Sequence, residues 1–320
     1  MNPTILIQDL INGFALGSVY AIFALGYTLV FSILDVLNLT QGAMFTLGAY
    51  FTYVLTGAAF NSDGLLANQS LPFGLPFPLA LLLGALLSGV LGIGIELVIF
   101  RPLRARQASS LLAMISSLGA NIAIINLIQY LAGSENYSYS DPLLSALPRA
   151  LTLGSSNHLV IVRTTQIILF IVAIVIVVLL TIWITRTKSG KALQAIAQDP
   201  LTSRLLGINP NRLILLTFFV SAVLGGVSGT LVGMNVSIAG PYFSESFVLK
   251  GLSVIIVGGL GSIPGTIAGG FALGIAESFS TLLLSSQQQG LKDAVAFVLL
   301  FIVLLIRPQG LLGKPLVQKV

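Results

Sequence analysis

The residues of this chain that could carry proton, metal or nucleophile chemistry are few and scattered. There is no cysteine, and the single histidine, His158, lies in a polar loop. One histidine without further ligands does not make a metal site, and the patterns H-E-x-x-H and G-x-S-x-G are both absent. The sequence therefore predicts a non-catalytic protein with no cofactor and no metal site.

Acids inside apolar segments are the remaining candidates for chemistry, because they could couple transport to a cation. Glu96 lies close to Arg101 near the end of one segment, and Asp293 neighbours Lys292 at a helix start. A cation-coupled carrier or proton pump usually keeps acids near the middle of the membrane. Glu277 is the one candidate for that role. The alternative is an interfacial acid, or one hydrogen-bonded to a neighbouring helix.

The composition places these residues in a membrane protein. Hydrophobic residues make up 56% of the 320 residues and charged residues only 8%, which is more apolar surface than a globular core buries. Several uncharged windows can cross a hydrocarbon layer of roughly 30 Å as a helix. They are 10–34, 36–62, 64–95, 107–134, 164–185, 213–244 and 251–276. We therefore expect an all-α polytopic membrane protein that forms one integral-membrane domain over 1–320.

Hydropathy predicts the transmembrane helices themselves. They are expected near 8–34, 39–58, 76–100, 110–132, 165–185, 212–235 and 292–307. A glycine-rich region at 247–285 is long enough for two passes broken around GGLGSIPG, or for one pass with a re-entrant piece. The expected total is eight or nine crossings.

Basic residues orient the predicted bundle. Most of the 15 basic residues follow the third, fifth and last predicted helices, at 101–106, 186–212 and 307–319. The loops on the opposite side, 59–75 and 133–164, hold only Arg149 and Arg163. Because basic loops stay in the cytoplasm, the segment 186–211 and the C-terminus are expected there. The N-terminus would then be periplasmic, which favours nine crossings.

Glycines inside the predicted helices recur at a spacing of four, as at Gly13 and Gly17. This spacing places small residues on one helix face, where two backbones can approach closely. For VGGLGSIPGTIAGG the alternative is a helix broken beside a cavity, because irregular backbone in a membrane must be shielded by protein or must line water. The residues expected in this packing or break are Gly258, Gly259, Gly261, Pro264, Gly265 and Gly269.

The polar segment 186–211, called the insert below, predicts two short helices. In SGKALQAIAQ, Ala192, Ala195 and Ile196 share one face of small residues. Asp199 is a suitable N-cap for a second helix, which begins at Pro200. Gly207 is a suitable stop, and Asn209 and Pro210 restart the next transmembrane helix in the same way.

Leucines give the second short helix an apolar stripe, formed by Leu201, Leu205 and Leu206 beside Arg204. The basic residues of the insert alone would fit contact with anionic lipid or a role as topology signals. Neither role requires capped helices and an apolar stripe. An amphipathic helix seated in a groove of a partner does require them, and we expect partner docking here.

Long strings of the chain resemble the permeases of branched-chain amino-acid ATP-binding-cassette (ABC) importers. GKALQAIAQDPLTSRLLGINPNRLILLTFFVSAVLGGVSGTL resembles the coupling segment and following helix of that family. INGFALGSVYAIFALGYTLVFSILDVLNLTQGAMFTLGAY resembles its N-terminal signature, and RPQGLLGKP its C-terminus. The resemblance covers nearly the whole chain and is closer to the first of the two paired permease types.

The resemblance implies an importer of neutral, mainly aliphatic amino acids in a bacterial inner membrane. Its expected partners are a second permease, two cytoplasmic ATPases, a periplasmic substrate-binding protein, the amino acid and membrane lipid, with no nucleic acid. The nucleotide-driven closure of the ATPases would rock the permease between outward and inward states. The residues that correspond to the ATPase-coupling element are Gly190, Lys191, Ala192, Ala195, Asp199, Arg204, Leu205, Leu206 and Gly207.

Polar residues within the predicted helices are candidates for the translocation path, because polar groups in a span usually face the bundle interior. They are Asn38, Thr40, Gln41, Asn121 and Asn126. Interhelical hydrogen bonds would explain each of them equally well. The alternatives for the whole chain are a cation-coupled secondary carrier, a passive channel for a small neutral solute such as urea or an amide, and an ABC permease for another substrate such as a sugar.

Overall fold

The computed structural model of the protein describes residues 3–60, 64–139, 150–153, 160–283 and 292–313. His158 lies outside the described residues, and so do the side chains of Leu201, Lys292 and Asp293.

Helices dominate the described chain and follow the predicted segments closely. Their bounds are α1 (Pro3–Leu34), α2 (Gln41–Leu55), α3 (Phe77–Ile95), α4 (Arg101–Ala105), α5 (Ser110–Ala132), α6 (Thr164–Arg186), α7 (Lys188–Gln198), α8 (Pro200–Leu205), α9 (Pro210–Val236), α10 (Glu245–Gly258), α11 (Ile263–Leu283) and α12 (Lys292–Ile306). A π-helical turn (Glu96–Phe100) joins α3 to α4, and a 3₁₀ turn (Pro241–Ser244) precedes α10.

Five stretches within the described ranges are long and apolar enough by themselves to cross a membrane. They are Ile5–Leu34, Phe77–Ala105, Ser110–Ala132, Thr164–Arg186 and Pro210–Val236. The prediction of an all-α polytopic membrane protein is confirmed. The count of eight or nine crossings stays a prediction, because α2, α10 and α12 have only 15, 14 and 15 residues.

Short strands close the connections at one end of the bundle, a feature that hydropathy did not predict. β1 (Asn136–Tyr137) pairs antiparallel with β4 (Ile238–Ala239). β2 (Ala150–Leu153) pairs antiparallel with β3 (Val160–Arg163), directly before α6. The first pair ties the chain after α5 to the chain after α9, which are far apart in sequence.

α1 lies at the centre of the core. From Tyr20 to Val30 every residue is buried, so this helix is apolar on all sides, as a central helix in a bundle must be. It contacts α6, α9, α10 and α11. Its contact with α11 depends on small residues, because a Cβ atom on Gly274 would lie 2.3 Å from the Gly17 nitrogen. The glycine spacing thus serves close helix packing.

The glycine-rich region is two helices, and the break between them lies at Gly259–Ser262. Gly259 and Gly261 adopt positive φ angles of 103° and 78°, a conformation that favours glycine. Pro264 does not break a helix here, because it lies in the first turn of α11, where a missing N–H costs no hydrogen bond.

The C-terminal segment satisfies the polar backbone that the break leaves open. Leu311 N–H donates to the Val257 carbonyl at 2.7 Å, and Leu312 N–H donates to the Gly258 carbonyl at 3.0 Å. Carbonyl groups at the end of a helix have no partner within that helix, and a membrane interior offers none. The segment 307–313 therefore acts as a cover for the break.

The π turn determines the ion-pair partner of Glu96. Its carboxylate is fully buried and forms an ion pair with Arg104, not with the nearer Arg101. A π turn adds about one residue to the helical turn, so residue i+8 comes to lie over residue i. The sequence contained no signal for this turn.

Candidate partner-docking face and transmembrane polar sites

The first half of the insert, α7, packs against the bundle. Thr187 caps this helix, since its side-chain oxygen accepts from the Gly190 N–H at 3.1 Å. The buried face consists of Gly190, Leu193 and Ile196. A Cβ atom on Gly190 would lie 2.2 Å from the Trp183 carbonyl oxygen. Only glycine permits such a close approach of α7 to the end of α6.

This buried face differs from the predicted face of small residues. Ile196 is buried as expected, whereas Ala192 and Ala195 are half-buried at the edge of the contact. Lys191 is exposed on the opposite side. The sequence analysis missed Leu193 and the cap Thr187. A threonine three residues before Gly190 was the available signal for the cap.

The second half of the insert, α8 with the turn that follows it, exposes two neighbouring leucines. Leu205 is 82% exposed and Leu206 is 75% exposed, next to an exposed Arg204. Neighbouring exposed leucines on a polar surface mark an interaction site more often than isolated ones do. The described part of the chain therefore presents a small apolar patch at the tip of the insert.

The local structure of α8 is built by the predicted caps. Asp199 Oδ1 accepts from the Thr202 N–H at 3.2 Å. Gly207 ends the helix with a φ angle of 80°, and Asn209 Oδ1 accepts from the Asn211 N–H at 3.1 Å as α9 begins at Pro210. The tip is a defined structure that connects α7 directly to α9.

A basic cavity of about 360 Å³ lies between the insert and the bundle. Arg101 and Arg104 line it from α4, and Arg204 lines it from α8. Ile33, Leu34 and Ile196 form part of its wall. With one buried carboxylate, Glu96, near three guanidinium groups, the cavity is positively charged.

All five predicted path residues form hydrogen bonds inside the chain, and four of them are buried near one another. Asn38 Oδ1 accepts from the Thr40 hydroxyl at 2.6 Å. Gln41 Nε2 donates to the Ser221 carbonyl at 2.9 Å, which links the start of α2 to α9. Asn121 Oδ1 accepts from the Ala43 N–H at 2.7 Å. All four are buried, so the structure brings them together around the start of α2.

Asn126, the fifth predicted path residue, lies apart from the other four. It is exposed on α5, and its Oδ1 accepts from the Tyr242 hydroxyl at 3.0 Å. A cavity of about 340 Å³ at this point is also lined by Gln129, Tyr130 and Ser134. Amide groups on the outer surface of a membrane helix are costly against lipid. This surface therefore favours contact with protein or water.

Glu277 belongs to a buried charged cluster with Lys250 and Tyr20. Lys250 Nζ donates to Glu277 Oε1 at 2.8 Å and to the Tyr20 hydroxyl at 3.2 Å. The Tyr20 hydroxyl donates to Glu277 Oε2 at 2.6 Å. The cluster joins α1, α10 and α11. Two opposite charges in neighbouring apolar segments were a signal for this pairing, since a buried charge is costly without a partner.

Within the described ranges, no group of three or more His, Cys, Asp or Glu side chains lies close enough to hold a metal ion.

Comparison with known protein families identifies the family of this chain. Residues 10–304 match the model described as branched-chain amino acid transport system / permease component. The chain belongs to this family.

Individual relatives of this permease family agree with the match. The high-affinity branched-chain amino acid transport system permease protein BraD of Pseudomonas aeruginosa is 35% identical over 98% of this chain and 98% of its own length. The protein LivH of Escherichia coli, with the same description, is 35% identical over 98% of this chain and 97% of its own length. The ribose import permease protein RbsC of Haemophilus influenzae is 26% identical over 91% of this chain and 88% of its own length. The predicted resemblance to the first permease type of branched-chain amino-acid importers is confirmed.

Proposed function

We propose that this chain is the transmembrane permease subunit of an ABC importer for neutral, branched-chain-type amino acids. It moves substrate by alternating access, driven by two ATPase subunits that dock on the insert. A second permease subunit completes the pathway, and a periplasmic substrate-binding protein delivers the amino acid. In this arrangement the chain itself hydrolyses nothing.

The observation that carries this proposal is the exposed apolar tip of the insert. Leu205 and Leu206 are exposed where a short helix ends, and Asp199 caps the start of this helix while Gly207 terminates it. α7 connects this tip rigidly to α6, and Asn209–Pro210 connect it to α9. A partner that moves α8 would therefore move two long transmembrane helices, as ATPase-driven transport requires.

The substrate class is supported by the relatives. BraD and LivH are described as permeases of high-affinity branched-chain amino acid transport systems, and both align over nearly the full chain. The ribose permease RbsC is less similar. A sugar importer is therefore the nearest alternative, and direct comparison of leucine and ribose uptake separates the two.

The proposed orientation places the insert and the C-terminus in the cytoplasm of a bacterium, with the permease in the inner membrane. It rests on the basic residues that surround the insert and the end of α4. The N-terminus of α1 is then periplasmic. Asn126 is the predicted path residue best placed to face a neighbouring subunit or water, because it is exposed while the other four are buried.

The cation-coupled alternative is weaker, because its single candidate is already occupied. The Glu277 carboxylate accepts from both Lys250 and Tyr20. Lys250 therefore already balances the charge of this carboxylate, which is what a coupling cation would have to do in a carrier. A passive channel is also a weaker alternative, since it has no use for a docking insert.

Purification from native membranes followed by reconstitution tests the proposal. We expect two ATPases and a second permease to copurify, and the complex with its binding protein to import leucine only when ATP is present on the insert side. Leucine flux without ATP would overturn the proposal in favour of a carrier or channel. Import of ribose instead of leucine would overturn the substrate class.

A further inference from the structure

A cavity of about 580 Å³ lies at the end of the bundle opposite the insert. The start of α6 lines it, whereas the insert follows the end of the same helix. The rest of the wall comes from the first half of α1, from β3, from the end of α9 and from the last turns of α11. A volume of this size is within the range of small-molecule sites. In the proposed orientation the cavity faces the side from which a binding protein delivers substrate.

One side of this cavity presents a carboxylate that belongs to a prearranged cluster. Glu277 lines the cavity, and its carboxylate is held by Lys250 and Tyr20 from behind. Glu277 itself is only 7% exposed. Each carboxylate oxygen has two acceptor positions, so an ammonium group entering from the cavity can bind without displacing either partner.

A positive charge and amide groups line the same cavity. Arg163 contributes a guanidinium group just before α6. Asn12 Oδ1 accepts from Gln166 Nε2 at 2.7 Å and from Gln8 Nε2 at 3.3 Å. These hydrogen bonds fix α1 against α6 and keep polar groups on the cavity wall.

Apolar side chains complete the lining. Ile5 and Ile161 are about half exposed, at 47% and 50%, and with Leu16 they line the cavity. An exposed aliphatic surface beside a fixed carboxylate and a guanidinium is the combination that a zwitterion with an aliphatic side chain requires.

We propose that this cavity is a receiving site for a free aliphatic amino acid, which binds through its ammonium group to Glu277 and through its carboxylate to Arg163. The side chain of the amino acid rests on Ile5, Leu16 and Ile161. This inference rests on the proposed function, which it extends by naming where the permease itself contacts substrate.

A purely structural role of the Lys250–Glu277 pair makes a different prediction. A pair that only holds α10 to α11 needs neither Arg163 nor an open cavity. Arg163 is exposed and lies outside the cluster, so changing it separates substrate binding from helix packing.

Thiol labelling provides the test, because the chain has no cysteine. Thr281, which is exposed and lines the cavity, is changed in the variant Thr281→Cys. Ser138→Cys is the control, at an exposed position outside the cavity. The complex of permeases and ATPases is labelled with a neutral maleimide in lipid nanodiscs, without binding protein.

Leucine is expected to slow the labelling of Thr281→Cys and leave that of Ser138→Cys unchanged. At leucine of about ten times its Kd, the rate falls roughly tenfold by simple site occupancy. 3-Methylbutylamine lacks the carboxylate and 4-methyl-2-oxopentanoate lacks the ammonium group, so neither protects at the same concentration.

Charge variants in the Thr281→Cys background test which residue binds the carboxylate of the ligand and which binds its ammonium group. Arg163→Gln is expected to raise the leucine concentration needed for protection about thirtyfold or more, as loss of one partner of a charge pair does, whereas Arg163→Lys retains part of the protection. Lys250→Met combined with Glu277→Gln removes the ion pair without leaving a buried charge, and is expected to assemble but to lose protection.

The outcomes separate this inference from the proposed function. If the complex imports leucine but leucine does not slow the labelling of Thr281→Cys, the receiving site is wrong and the proposed importer function is unaffected. The receiving site is also wrong if leucine protects Thr281→Cys equally well with Arg163 present and with Arg163→Gln. If the complex imports no amino acid at all, the proposed function fails first.

Discussion

The two helices of the insert differ in how they contact the rest of the protein. α7 buries Gly190, Leu193 and Ile196 against the bundle, and it contacts α1, α6 and α9. α8 leaves Leu205 and Leu206 more than two-thirds exposed. One helix of the insert is thus packed against the bundle, and the adjoining apolar tip is exposed. We therefore expect substitutions in α7 to affect both stability and transport, and substitutions at the tip to affect transport alone.

The largest effect is expected from Gly190→Leu. Its Cβ would lie 2.2 Å from the Trp183 carbonyl oxygen and 2.5 Å from the Ile184 Cα atom, so α7 must leave α6. We expect a lower melting temperature of the purified complex and uptake at background level. Gly119→Leu is the control, because a Cβ atom there meets nothing within 4 Å. A Gly190→Leu complex with unchanged melting temperature and uptake would contradict the anchored role of α7.

Leu205→Asp tests the free half of the insert. A charge in an apolar interface is costly to desolvate, so we expect uptake and substrate-stimulated ATPase activity to be lost while the melting temperature of the permease stays the same. Leu65→Asp is the matched control, a leucine that is 62% exposed outside the insert. Ala195→Asp, at the edge of the α7 contact, is expected to lose uptake as well. Normal stimulated ATPase activity in Leu205→Asp would refute docking at the tip.

Leu193→Ala measures how firmly α7 is anchored. Leu193 is 4% exposed, and removing a buried leucine side chain costs about 2–5 kcal/mol. We expect a lower melting temperature and reduced but measurable uptake. Leu206→Ala, at an exposed position, should leave the melting temperature unchanged. Equal melting temperatures for the two variants would remove the distinction between the halves.

Asp199→Ala is expected to have the smallest effect of the four. The substitution removes the N-cap of α8, which is worth about 1 kcal/mol. The tip should fray, and uptake should fall partially without loss of the assembled complex. Asp199→Asn retains a capping side chain and should restore uptake, as measured by initial leucine uptake rates. If alanine and asparagine behave alike, the cap does not position the tip.

Local signals made most helices and the insert predictable. The observed bounds of α5, Ser110–Ala132, coincide with the predicted 110–132, and α6 and α9 differ from their predictions by one or two residues at each end. Asp199, Gly207 and Asn209 were read as cap, stop and cap, and the structure shows them in these local conformations. Capping residues and apolar segments are local features, so they can be recognised from the sequence alone.

Contacts between distant segments were not predictable to the same degree. No sequence feature near Glu96 predicted the π turn that brings its carboxylate to Arg104. The polar residues near the start of α2 were equally compatible with a substrate path and with interhelical hydrogen bonds. The structure shows such bonds for Gln41 and Asn121, to α9 and α2.

The sequence by itself determined the class of this protein, its helices, its capped insert and its family, because apolar length, capping residues and characteristic strings are local properties. Tertiary structure alone decided that α7 is anchored while α8 is free, and that Glu277 meets Lys250 and Tyr20 at the wall of a cavity shared with Arg163. The physical reason is that lateral packing of helices selects partners that lie up to 269 residues apart, and no periodicity within one helix specifies which neighbour it will meet.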